Sequence, residues 1–225
     1  LDVSGFDTAG VTDMSRMFDG CKSLQELDVS GFDTSHVTDM TSMFHGCESL
    51  IELDVSGFDT SRVTGISGMF CNCKSLKSLD VSGFDTSNVA DENIGTVIRG
   101  GMYAMFAGCE SLSELDVSGF STSGIKDMAG MFLDCGNLLH LDLSGFDTSR
   151  VEDIAYMFSG CGKLRTLDVS GFDTSSVLRM NHMFQDCSGL EELKLFHFDT
   201  LKVEEMDDMF KGTKWENVEP DAAAG

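Results

Sequence analysis

Proline, tryptophan and tyrosine are nearly missing from this chain, at one, one and two in 225 residues, and positive charge is scarce, with 15 Lys and Arg against 38 Asp and Glu. A formal charge of −23 excludes a nucleic-acid groove, which needs clustered Lys and Arg to displace counterions from phosphate, and it disfavours docking to anionic membranes. No apolar run approaches the roughly 18 residues of a membrane span, so no membrane insertion is expected of this segment. No initiator Met or signal peptide precedes Leu1, which reads as a mature fragment of a longer chain. At 41% hydrophobic residues the chain is also too apolar for a disordered acidic tail.

What is abundant is unusual: 17 Phe, 14 Met, 24 Gly and 8 Cys. The octet L-D-V-S-G-F-D-T at Leu1 recurs in near-copies beginning at Leu27, Leu53, Leu79, Leu115, Leu141, Leu167 and Leu193, with a period of 26 residues. One interval is 36 residues long because ten residues, 92–101, are inserted between Asp91 and Met102. Sorted by position in the repeat, 16 of the 17 Phe fall in two columns, shown by Phe6 and Phe18. All 14 Met fall in two more, shown by Met14 and Met17, and seven Cys fall in another. Residues recurring at one pitch meet their own copies when repeats stack, so each column predicts a buried ladder.

Within a unit, Leu24, Leu27 and Val29 fit a short strand with alternate residues inward, leaving Asp28 and Ser30 to solvent. Val37, Met40, Met43, Phe44 and Cys47 are spaced by three, three, one and three, which predicts one face of a short helix, in α or 3₁₀ form. Thr38 suits its N-cap, Asp39 its positive end and Gly46 its stop. The expected fold is an α/β solenoid of about eight 26-residue units, leucine-rich-repeat-like and right-handed. A parallel sheet lies on one face and short helices on the other. Residues 1–212 form this single solenoid, and 213–225 are a cap remnant or linker. The abrupt start at Leu1 leads us to expect more of the array, or a separate cap, before it.

Two aspartate columns, shown by Asp2 and Asp7, hold 14 of the acids. Stacked carboxylates repel, so an idle ladder is unfavourable. They either accept local hydrogen bonds in Asx-type turns, with the strand aspartates bonding neighbouring Ser hydroxyls, or form calcium sites; the sequence lacks the dense Asp/Asn/Gly spacing of known calcium loops. Lys194 replaces the strand aspartate of the last unit, beside Asp168, and suits a cap. The Cys column reads as buried thiols, because equivalent side chains on stacked rungs point the same way and stay too far apart for a disulfide. Asp19, His45 and Cys71 share one repeat position on three successive rungs, but mixed ligands from a surface column are a weak metal signal. The five His occupy five different repeat positions, and no G-x-S-x-G, H-E-x-x-H or phosphate-cradling loop occurs, so no catalytic, metal or cofactor site is expected.

Positions that vary on a constant scaffold mark surface that packing does not dictate. On the strand side these include Gln25 and Glu26, Ile51 and Glu52, Lys77, Leu139 and His140, and Arg165, which are the candidate partner-binding residues. On the other side the position of Arg16 becomes Ser42, Gly68, Ala104, Gly130, Tyr156, His182 and Asp208. The insertion carries Val97 and Ile98 and is either a docking loop or tolerated drift.

The pattern L-D-V-S-G-F-D-T-S-x-V-T-D-M-x-x-M-F-x-G-C-x-S-L resembles the BspA-like leucine-rich repeats of bacterial and mycoplasma surface proteins and lipoproteins, over Leu1 to about Gly212. The resemblance implies a secreted or cell-surface-anchored bacterial protein. It also implies a non-catalytic adhesion or protein-interaction module whose partner is a host or neighbouring-cell surface or matrix protein, or a glycan. A passive spacer and a calcium-dependent or glycan-binding array are the alternatives. The insertion and the lone Ser121 in an Asp column depart from the pattern.

Overall fold

The computed structural model describes residues 1–91, 100–195 and 198–217; Val97 and Ile98 lie outside them. The described residues stack as eight rungs in which each repeat covers the next. The Phe18 column continues through Phe44, Phe70, Phe106, Phe132, Phe158, Phe184 and Phe210. Its neighbouring ring centroids are 5.6 to 5.9 Å apart and its planes lie within 8° of each other. Met40, Met43, Phe44 and Cys47 and most of their copies are fully buried beside it. The axis is therefore a continuous apolar rod in which every rung closes the face of its neighbour.

The expected helices are not formed: among the described residues there is none. The segment from Met14 to Leu24 and its copies is instead a ribbon of linked turns. Met17 N–H donates to Met14 C=O, Asp19 to Arg16 and Cys21 to Phe18, each three residues back. The alternate amides point along the stack, where Arg16 N–H donates to Thr41 C=O, Phe18 to Met43 and Gly20 to His45, at 2.8 to 2.9 Å. The third residue of the first and last of these turns has a left-handed φ, as type II turns require. Arg16 has φ 56° and Gly20 φ 71°, and every rung repeats the pair. Two physical reasons decide against the helix. An inward spacing of three reads alike for a helix face and for linked turns. A two-turn helix also leaves most of its end N–H and C=O groups unpaired, whereas the ribbon gives its alternate amides to the next rung.

The opposite face carries only a sparse parallel sheet. Two three-residue strands, β1 (Thr166–Asp168) and β2 (Glu192–Lys194), pair in parallel with Leu167 opposite Leu193, and an isolated bridge joins Glu52 to Ser78. Elsewhere the rungs are linked by single bonds such as Ile51 N–H to Gln25 C=O.

Between the two faces runs a threonine ladder. The Thr60 hydroxyl accepts from the Asp85 N–H at 2.8 Å and donates to the Asp85 C=O at 3.1 Å, and Thr34, Thr86, Thr122 and Thr174 do the same to their next rungs. These threonines are buried. The partner is backbone, so Ser121 serves in place of Asp without interrupting the row. The cysteines form a third ladder, each thiol donating to the Phe carbonyl of the preceding rung, from Cys47 to Phe18 at 3.3 Å through Cys187 to Phe158 at 3.0 Å. Burial pushes the thiols of Cys47, Cys109 and Cys187 up to about 12.

Candidate functional site

The strand side presents the most continuous chemical pattern on the surface. Asp2, Asp28, Asp54, Asp80, Asp116, Asp142 and Asp168 point outward from successive rungs, and each accepts from the N–H of the Ser two residues on at 2.9 to 3.0 Å. In most rungs the same Oδ1 also accepts from that serine's hydroxyl, as Asp54 does from Ser56 at 2.6 Å. Those hydroxyl bonds, reinforced by the backbone ones, hold the carboxyls of Asp28, Asp54, Asp80 and Asp116 below their ordinary range. A local bond on one oxygen fixes each side chain's direction and keeps it ionised, which offsets the repulsion along the row.

This row borders an open groove of about 860 Å³, walled by Glu26, Glu52 and Glu114 beside Asp28, Asp54, Asp80 and Asp116. A further groove of about 420 Å³ continues past His140 and Asp142 to Thr166. At the C-terminal end Lys194 Nζ sits 3.1 Å from Asp168 Oδ2, so the chain itself shows how a cation engages the row: Ser170 holds Oδ1 and the ammonium takes Oδ2.

The sequence-selected residues divide between two faces of this edge. Glu26, Glu52 and His140 line the grooves, whereas Gln25, Ile51, Lys77, Leu139 and Arg165 stand one residue earlier, outside the lining. All of them are exposed. Ile51 and Leu139 are apolar and about two-fifths exposed, at 39% and 40%. Arg165 is ion-paired with Glu191 on the next rung. The second aspartate column, Asp33 and its copies, forms Asx turns on a different edge, as Ser61 N–H to Asp59 Oδ1 at 3.0 Å shows.

On the ribbon side Asp39 does not flank a helix start; its carboxylate accepts from Thr41 N–H at 2.8 Å, and the Thr38 hydroxyl donates back to Thr12 C=O. Asp19 Oδ1 and His45 Nδ1 are 2.6 Å apart, and the Cys71 sulfur accepts from the Asn72 amide at 3.5 Å. Among the described residues no three His, Cys, Asp or Glu side chains are placed to hold a metal. Sequence reasoning did not single out the aromatic pair Tyr156 and His182, stacked at 4.5 Å on adjacent rungs of the variable ribbon column. The signal available was glycine at two of the column's eight positions, Gly68 and Gly130, which marks a left-handed backbone.

Comparison with known proteins adds the following. The profile of a family described as "Mycoplasma protein of unknown function, DUF285" matches residues 1–96 and 100–222. A leucine-rich repeat protein from Bacteroides ovatus, known from a crystal structure, aligns with 91% of this chain at 20% identity and a TM-score of 0.58, which shows likeness of fold alone. The chain spans 45% of the length of that protein. The functional domain of InlJ from Listeria monocytogenes, described as including a cysteine ladder, aligns over 92% of this chain and 48% of its own at 19% identity. Its TM-score is 0.20, too low to carry an argument. No curated protein matches the sequence.

Proposed function

Because the chain belongs to the DUF285 family and is a leucine-rich repeat protein of the BspA-like class, we propose that it is a non-catalytic interaction module of a bacterial surface protein. Its acidic groove is the face that takes the partner. The observation that carries this reading is the row of serine-anchored carboxylates bordering the grooves, whose last member, Asp168, just beyond their lining, holds an ammonium group from Lys194. Charge complementarity then specifies a basic stretch of polypeptide on a surface or matrix protein. The hydrogen bonds that keep the carboxylates directed outward lower the ordering required when that partner arrives.

Calorimetric titration with oligolysine tests the reading. The triple variant Asp54→Asn, Asp80→Asn, Asp116→Asn keeps the serine bonds and removes three charges from the groove. The control, Asp59→Asn, Asp85→Asn, Asp147→Asn, removes three from the other column. We expect the groove variant to weaken binding by roughly tenfold or more at low salt and the control to change it far less. Equal effects of the two triples would reduce the attraction to net charge and contradict the assignment. No binding of oligolysine would favour a passive spacer.

A further inference from the structure

The ribbon side carries one exposed feature that packing does not explain. All eight residues of the variable column have a left-handed φ between 50° and 62°, a conformation suited to glycine and found there at Gly68 and Gly130. A bulky aromatic is disfavoured in it, yet Tyr156 adopts it at φ 59°, with His182 at 58° on the next rung. Their rings stack with centroids 4.5 Å apart and planes 17° from parallel, and Tyr156 is 39% exposed. Four other non-glycine residues, Arg16, Ser42, Ala104 and Asp208, share this conformation, but only Tyr156 and His182 bring two rings together in it on adjacent rungs.

The surroundings of the pair define its chemistry. Gly130 occupies the column on the preceding rung, and a Cβ there would meet only Leu133, at 3.7 and 3.8 Å, so that column gives the second face of the Tyr156 ring no stacking partner. The Asp186 carboxylate can only accept, so it takes the Gln185 amide N–H at 3.2 Å and leaves Gln185 Oε1 to accept from His182 Nδ1 at 2.6 Å. In its neutral form the imidazole then carries its proton on Nδ1 and offers a lone pair at Nε2. The nearby Asp208 is engaged by Lys211 at 2.8 Å and lies 4.0 Å from His182 Nδ1, and Asp186 is engaged by Gln185. The shelf thus combines an aromatic face with an imidazole whose Nδ1 is oriented by Gln185.

We propose that Tyr156 and His182 form a glycan-binding site on the face opposite the acidic groove. The CH face of a neutral pyranose ring stacks on Tyr156, and one of its hydroxyls donates to His182 Nε2. A sugar ring fits this set because it pairs a flat apolar face with neutral donors at its rim.

The test uses the full chain and millimolar methyl glycosides of glucose, galactose, mannose and N-acetylglucosamine, read by NMR of the Tyr156 and His182 ring signals and by thermal melting. At least one glycoside should shift both rings. Tyr156→Gly and His182→Gly should hold or raise the melting midpoint, because glycine relieves the left-handed φ, while weakening binding at least about tenfold. Tyr156→Phe should bind as the parent does. Ring signals unmoved by all four sugars, or binding retained in Tyr156→Gly, would overturn the proposal. So would an arginine ester that shifts the rings where no glycoside does.

Discussion

At the scale of single residues, the threonine present in all eight repeats is a connector between rungs. The buried hydroxyls of Thr34, Thr60, Thr86, Thr122 and Thr174 each spend a proton and a lone pair on the backbone of the following unit. Thr60→Val, which preserves shape, should therefore cost about 1 to 3 kcal/mol in denaturant unfolding, since it takes the buried hydroxyl from the part-buried bonds to the Asp85 amide and carbonyl. Thr60→Ser should cost much less. A Thr60→Val protein as stable as the parent would show that the row is incidental. The cysteines act in the same direction but more weakly, each adding a thiol donor to a Phe carbonyl already held by a turn bond.

At the scale of the element, the ribbon has a compatibility rule that no single repeat reveals. Its second left-handed column alternates glycine with Asn72, Asp134 and Asp186, and the residue that follows each of these on the next rung is glycine. Geometry explains the order: a Cβ at Gly160 would lie 2.2 Å from Asp134 Oδ1, and one at Gly108 would lie 2.5 Å from Asn72 Oδ1. At Gly20, which has a similar φ of 71°, a Cβ would meet nothing within 4 Å. Gly20→Ala should then cost about 1 kcal/mol for its φ alone, and Gly160→Ala several times more. Combining Gly160→Ala with Asp134→Gly should remove most of that excess, leaving the contact with the Asp134 Cα at 3.1 Å. Equal penalties for the two single variants would refute the rule.

The ribbon also marks the limit of what the sequence made legible. The columns of Phe, Met and Cys, the serine bonds of Asp28 and its copies, and the placing of Lys194 beside Asp168 all follow from counting positions in the repeat. Helix and linked turns share the spacing of Val37, Met40, Met43 and Cys47, and only the recurrent glycines at the Arg16 and Gly20 positions distinguish them. For the same reason the Tyr156 and His182 shelf was hidden. Variation at that column was visible, but the direction of its side chains depends on the backbone conformation.

For the molecule as a whole, the repeats form one rod because the alternate ribbon amides of one unit bond the carbonyls of the next. The acidic groove on one side and the variable ribbon on the other are consequences of that stacking. NMR couplings transmitted through hydrogen bonds test this directly, because they identify the carbonyl that each amide meets. The Ser42 amide should couple to the Ser67 carbonyl and the Phe44 amide to the Met69 carbonyl, 25 residues on, matching separations of 2.9 Å in both pairs. Coupling of Ser42 to Thr38 and of Phe44 to Met40 would instead reveal a helix closed on itself and contradict the account.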